Sequence, residues 1–188
     1  MAAILLSGPA VEPLTLAEAK SYLRVEHDDD DALIAALVAA VRAEVEAKTR
    51  RALITQRWRW ILDAWPRDGR IALAPAPVRE ILAARVYDEN GIAQAIDTQA
   101  FVVDTAAAPG VIGFVSWALP APGRAVAGIE IDVACGYGDA AADVPEPLRQ
   151  AMRVLLAHRY ENRGLAAAAD AGPASVAALL SPYRVMAL

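Results

Sequence analysis

The stretch DDDDALIAALVAAVRAEVEAKTRR, residues 28–51, decides how the rest of the chain is read. Leu33, Ile34, Leu37, Val38, Val41 and Val45 recur at the i, i+3, i+4, i+7 spacing of one buried helical face. Asp28 stands where a cap is expected, with Asp31 three residues on, and the acid run falls at the positive end of the helix dipole. Lys48, Arg50 and Arg51 fall at the other end, where cations are favoured. Alanines fill most other positions of the first half, so neighbours can approach closely on more than one side. The spacing predicts a helix over 28–51.

Upstream, Thr15 and Glu18 form a capping-box pattern ahead of Leu16, Ala19, Tyr22 and Leu23, which predicts a short amphipathic helix ending near Val25. Residues 1–13 read as an extended arm. Downstream the period changes: Arg57-Trp58-Arg59-Trp60 alternates, with the tryptophans on one face and solvated arginines opposite. Further strands are expected at 70–73, 79–87, 99–103, 111–115 and 128–134, with a hairpin turn at DENG, 88–91. Helix returns at 144–163, with Asp143 as its cap and Leu148, Met152, Leu155, Leu156 and Tyr160 as its core face. Gly164 stops it, 165–172 is alanine-rich, 173–180 has room for one or two helical turns, and 181–188 reads as a tail. The expected fold class is α+β. A small helical core (14–51 and 143–180), in which helix 28–51 packs with helix 144–163, carries an inserted antiparallel β portion (57–135), all within one domain.

Composition narrows the function classes. At 188 residues the chain can bury one real core. Its longest apolar run, 32–41, is well short of the roughly 20 residues that cross a bilayer, so no membrane association is expected. The opening MAAILLSGPAVEPL lacks the positive n-region of a signal peptide. Cys135 is the single cysteine, so no internal disulfide can form. A net charge of −5 gives no global attraction to nucleic acid. All basic residues but Lys20 and Lys48 are arginines, the type suited to fixed contacts.

No constellation for catalysis, cofactor or metal emerges. The aspartates at 28–31 lack the alternation, glycine and distal glutamate of a calcium loop. His27, His158 and Cys135 stand in no zinc spacing. CGYGD at 135–139 lacks the lysine of a phosphate loop, and no nucleophile elbow occurs. Arg50, Arg51, Arg57 and Arg59 with Trp58 and Trp60 make the one basic-aromatic cluster, read as a packed strand in preference to a nucleic-acid platform.

A series of motifs nevertheless stands in a telling order: PLTLAEAK at 13–20, the acid-led long helix, TRRALITQ at 49–56, LAPAPV at 73–78, the 88–91 turn, CGYG at 135–138, VPEPLRQA at 144–151, HRYENR at 158–163 and LSPYR at 180–184. In this order the chain resembles the head–tail connector, or adaptor, family of tailed bacteriophages and phage-derived gene transfer agents, from about Pro13 to Arg184. It departs from the commoner pattern at Cys135 and in the alanine-rich 165–171 segment.

The resemblance implies a structural virion protein at the head–tail junction, made in the bacterial cytoplasm. Such a protein assembles as a dodecameric ring beneath the portal, extends the channel for double-stranded DNA without reading its sequence, and offers its lower surface to a stopper or tail protein. A ring needs two different faces of each subunit to meet. Ala36, Ala40, Arg50 and Arg51 on the long helix are the candidate ring contacts. The tail carries a dense apolar set that either docks on its own subunit or grips a partner, and the resemblance makes Leu180, Pro182, Tyr183, Arg184, Val185 and Met186 the candidate portal contacts. The rival readings are a DNA-recognition subunit of a packaging motor, using the N-terminal helix pair, and a small hydrolase. The charge and the large β portion weigh against the first, and the missing nucleophile and base against the second.

Overall fold

The computed structural model describes residues 1–162 and 173–185. The fold is α+β, with four helices and two antiparallel sheets among the described residues, in two compact units.

The helical unit takes in 10–54 and 137–185. Helix α1 (Leu16–Leu23) opens with the expected capping box: Glu18 N–H donates to the Thr15 hydroxyl, and the Glu18 carboxylate accepts from Thr15 N–H. Helix α2 (Asp31–Thr49) is shorter at both ends than the sequence spacing suggests. Asp28 does not cap it. Its carboxylate lies 2.5 Å from the Lys20 ammonium, and that of Asp31 lies 2.6 Å from the same group. A full charge arriving from α1 outcompetes the local amides for these oxygens. The buried face of α2 is Ile34, Val38, Val41, Val45 and Thr49. Leu33 is exposed and Leu37 only half-buried, because successive residues turn by about 100° and both sit to one side of that stripe.

Helix α3 (Glu146–Glu161) buries Leu148, Ala151, Met152, Leu155 and Leu156 against this face, as its spacing predicts. Asp143 does not cap α3 either. It ends a short 3-10 turn, Ala141–Asp143, and its carboxylate accepts from Ala140 N–H at 2.9 Å. Pro145 takes the cap position of α3, where a missing N–H costs nothing. Helix α4 (Ala174–Leu180) adds Val176 and Leu180 to the same core. Arg163, the Gly164 stop and the 165–172 segment lie outside the described residues.

The β unit takes in 1–9 and 55–136. Its strands are β1 (Ala2–Ser7), β2 (Gln56–Leu62), β3 (Arg70–Leu73), β4 (Val78–Tyr87), β5 (Ala93–Ile96), β6 (Phe101–Asp104), β7 (Gly110–Phe114) and β8 (Ile129–Cys135). One sheet runs β1-β2-β8-β4-β5 and the other β3-β7-β6. Two members escape the sequence reading. The N-terminal arm is itself a strand, paired antiparallel to β2 with Ala3 opposite Trp60 and Leu5 opposite Trp58. Strand β5 returns beside β4 after the 88–91 turn. Neither carries the polar alternation that marks a half-buried strand. At the turn before β3, Gly69 holds φ +68, and a Cβ there would fall 2.4 Å from the Phe114 carbonyl oxygen, so only glycine fits. Trp65, Phe101 and Phe114 pack as an aromatic trio with ring centroids 5.1–6.0 Å apart.

Candidate assembly surfaces

Helix α2 presents an alanine ridge. Ala32, Ala36, Ala40, Ala43 and Ala47 are all exposed, so the candidate ring residues Ala36 and Ala40 lie on open surface one turn apart. The charges beside the ridge are already engaged within the unit. Arg42 bridges Glu12 and Glu46 at 2.8 and 2.7 Å, and Glu44 meets Lys48 at 2.6 Å and Arg159 at 3.2 Å. Arg50 caps α2 in the left-handed region and is exposed. Arg51 is not a surface group of the same kind. Its Nε donates to the Tyr183 carbonyl at 2.6 Å, and its guanidinium lies 5.9 Å from the centroid of the Tyr137 ring. Burial pushes the Tyr137 phenol above its ordinary pKa, against the opposing pull of Arg51.

That arginine helps to tie down the C-terminal segment. After α4 the chain makes a 3-10 turn, Ser181–Tyr183, and Val185 N–H donates to the Thr49 carbonyl at 2.9 Å. One of the last orphan carbonyls of α2 is thereby satisfied. Leu180 and Val185 are 3% and 5% exposed, and Leu180 packs in the core of the helical unit, so these two candidate portal contacts are buried within the chain itself. Tyr183 is half-buried against the core, Pro182 and Arg184 are exposed, and Met186 lies outside the described residues. Sequence reading sees a density of apolar side chains here. It cannot see which of them the unit itself consumes.

On the β unit, the arginine expected to be solvated beside the tryptophans is instead locked into a network. Arg59 on β2 grips Asp132 on β8 with two bonds, Nε to Oδ1 at 2.6 Å and Nη2 to Oδ2 at 3.0 Å. Arg85 on β4 reaches the same carboxylate at 3.0 Å, and both guanidiniums also approach Glu130, at 3.2 and 3.5 Å. Strand register sets this up, since Arg59 lies opposite Asp132 and Glu130 opposite Arg85. The bonds from Arg59 hold the Asp132 carboxyl below its ordinary pKa despite burial. Two positive and two negative groups thus neutralise one another on one face of the sheet. The acids lie more than 70 residues from Arg59 in sequence, so no local pattern reveals them. Arg57, by contrast, is exposed and makes no ion pair among the described residues.

The remaining reactive groups offer little chemistry. Burial pushes the Cys135 thiol up to about 12, which leaves almost no thiolate near neutrality. His27 lies 3.7 Å from Asp29 on the surface, and the His158 ring meets the Asn162 amide at 3.3 Å. Among the described residues no three His, Cys, Asp or Glu side chains gather as metal ligands, and no helix is long and apolar enough to cross a membrane. The helix pair α1–α2 makes a poor DNA reader, because three aspartates lead into α2 and a fourth opens it, and these repel phosphate.

Comparison with known proteins points the same way. The family model for phage gp6-like head–tail connector proteins matches residues 13–102. No curated protein sequence matches the chain. Among solved structures, a chain in the virion of a native gene transfer agent (GTA) particle superposes with a TM-score of 0.84 at 27% identity, covering 100% of this chain and 97% of that one. A chain from the neck of an empty GTA particle with C6 symmetry gives 0.83 at 27% identity with the same coverage. One from the neck of a native GTA particle with C12 symmetry gives 0.72 at 28%, covering 98% and 97%. The resemblance to head–tail connectors carried by the sequence motifs therefore holds in family model and in fold.

Proposed function

We propose that this chain, which resembles phage gp6-like head–tail connectors and GTA neck proteins, is a structural connector at the head–tail junction of a phage or gene-transfer-agent particle. Twelve copies form a ring beneath the portal, line an extension of the DNA channel, and meet a stopper or tail protein below. The protein is not an enzyme. The observation that carries the reading is end-to-end likeness: both units align, over 100% of this chain and 97% of its neighbour. The symmetric necks in which such neighbours sit support a ring.

Within this reading the residues divide by task. The alanine ridge around Ala36 and Ala40 allows close helix approach between copies, with exposed Arg50 at its end. The tied C-terminal segment holds Pro182 and Arg184 outward, where an arginine can take a bidentate grip on an acid of the portal. A protein of net charge −5 lets DNA phosphates slide past without sticking. Electron microscopy of purified particles tests the assignment directly: this chain should appear as a ring at the portal vertex. Particles that lack the chain, or that carry it elsewhere, would refute it. Ala36→Leu should leave the free subunit folded and lower the number of copies retained per particle.

A further inference from the structure

We propose that the outer edge of β1 receives an extended strand from a different chain of the neck, an inference that rests on the connector reading and names one of its contacts. Ala2–Ser7 forms one margin of the five-stranded sheet and pairs on one side only, with β2. Among the described residues, none in this strand makes a backbone bond elsewhere. The strand therefore presents a row of unmet N–H and C=O groups, which only another extended backbone satisfies in full.

Free edges are normally guarded by charge, proline or brevity. This one has six residues, AAILLS, with no charge and no proline, and its single irregularity lies between Leu5 and Ser7. Ile4, Leu5 and Leu6 are 47%, 47% and 43% exposed. Ala3 and Leu5 share the tryptophan face of the sheet, and Ile4 the face of the Arg59 network. An incoming strand thus meets apolar side chains on both faces. At the Ser7 end stands Arg57, exposed and without an ion pair among the described residues. The occupant that fits is a proline-free segment, uncharged except for a carboxylate at the end beside Ser7 and Arg57.

A second copy of this chain fits poorly. The natural mate within a ring would be the opposite edge, β5. Continuing the sheet from one β1 through β5 to the next β1 takes five strand steps, which at about 20–25° each accumulates roughly 100–125° of twist. The sixfold and twelvefold symmetries of the neighbouring necks turn successive copies by only about 60° and 30°. The twist overshoots both, so the strand comes from another protein, by β-augmentation.

Hydrogen exchange of the Ala2–Ser7 amides, measured on the purified full-length chain and on assembled particles, tests this. Exchange at least tenfold slower in particles is expected, with no such change in the exposed hairpin turn at 88–91. A photo-crosslinker placed at Ile4 should capture a different neck chain, and capture of a second copy of this one would overturn the inference. Leu5→Lys should leave the far-ultraviolet circular dichroism of the purified chain unchanged but deplete the chain from particles, whereas Val102→Lys, at an exposed position on the other sheet, should not. A chain present in the neck with unchanged β1 exchange refutes this proposal alone; a chain absent from particles refutes the connector reading and this proposal with it.

Discussion

Replacing Asp132 by asparagine probes what holds the five-stranded sheet together. The residue is 4% exposed and accepts two bonds from Arg59 and one from Arg85. Asparagine keeps the shape and one acceptor oxygen but removes the charge, leaving two guanidiniums to share Glu130. Breaking a fully buried ion pair costs about 3–5 kcal/mol. Here the arginine side chains are 28% and 30% exposed and can be partly rehydrated, so a loss of about 2–3 kcal/mol is expected. At an m-value of about 2 kcal/mol per molar urea, the midpoint should fall by roughly 1 M. All four tryptophans, at 58, 60, 65 and 117, lie in the β unit, so their fluorescence reads its unfolding selectively. The folded pKa of Asp132 is depressed, so its stabilisation is complete above the ordinary aspartate value of 3.8 and is lost as pH falls through the lowered folded value. The gap between wild type and Asp132→Asn should therefore be constant from about pH 5 to 8 and close only under stronger acid. A gap under about 0.5 kcal/mol at pH 7, or one that persists unchanged once the carboxyl is protonated, would refute the network's role.

The helical unit yields its own expectations. Leu155→Ala, at a fully buried position of α3, should cost about 2–5 kcal/mol by far-ultraviolet circular dichroism, and Leu37→Ala clearly less because Leu37 is only half-buried. Val185→Ala should destabilise the unit by about 1–2 kcal/mol by loosening the tied C-terminal segment, whereas Arg184→Glu should leave melting unchanged and reduce incorporation into particles. The purified subunit should be largely monomeric at micromolar concentration by light scattering, since an alanine ridge supplies little apolar area per contact. Stable rings of the free protein would contradict that.

The amino-acid sequence by itself determined the helices, most of the strands and the likeness to head–tail connectors. Helix α2 announces itself because Ile34, Val38, Val41 and Val45 obey a local period, and the Thr15–Glu18 box and the 88–91 turn are likewise short-range patterns. The order of motifs from 13 to 184 carried the family likeness for the same reason, since each motif is contiguous. What tertiary structure alone decided are matters of pairing between distant residues. Lys20 draws Asp28 away from capping, Arg59 finds Asp132, and Thr49 and Arg51 hold the segment around Tyr183 and Val185. The strand character of Ala2–Ser7 belongs with these, because an uncharged apolar run has no signature of its own until β2 supplies the ladder. Local periodicity is fixed by backbone geometry within one element. Which charge meets which, and which apolar side chain the unit keeps for itself, is settled only when elements far apart in sequence compete for the same partner.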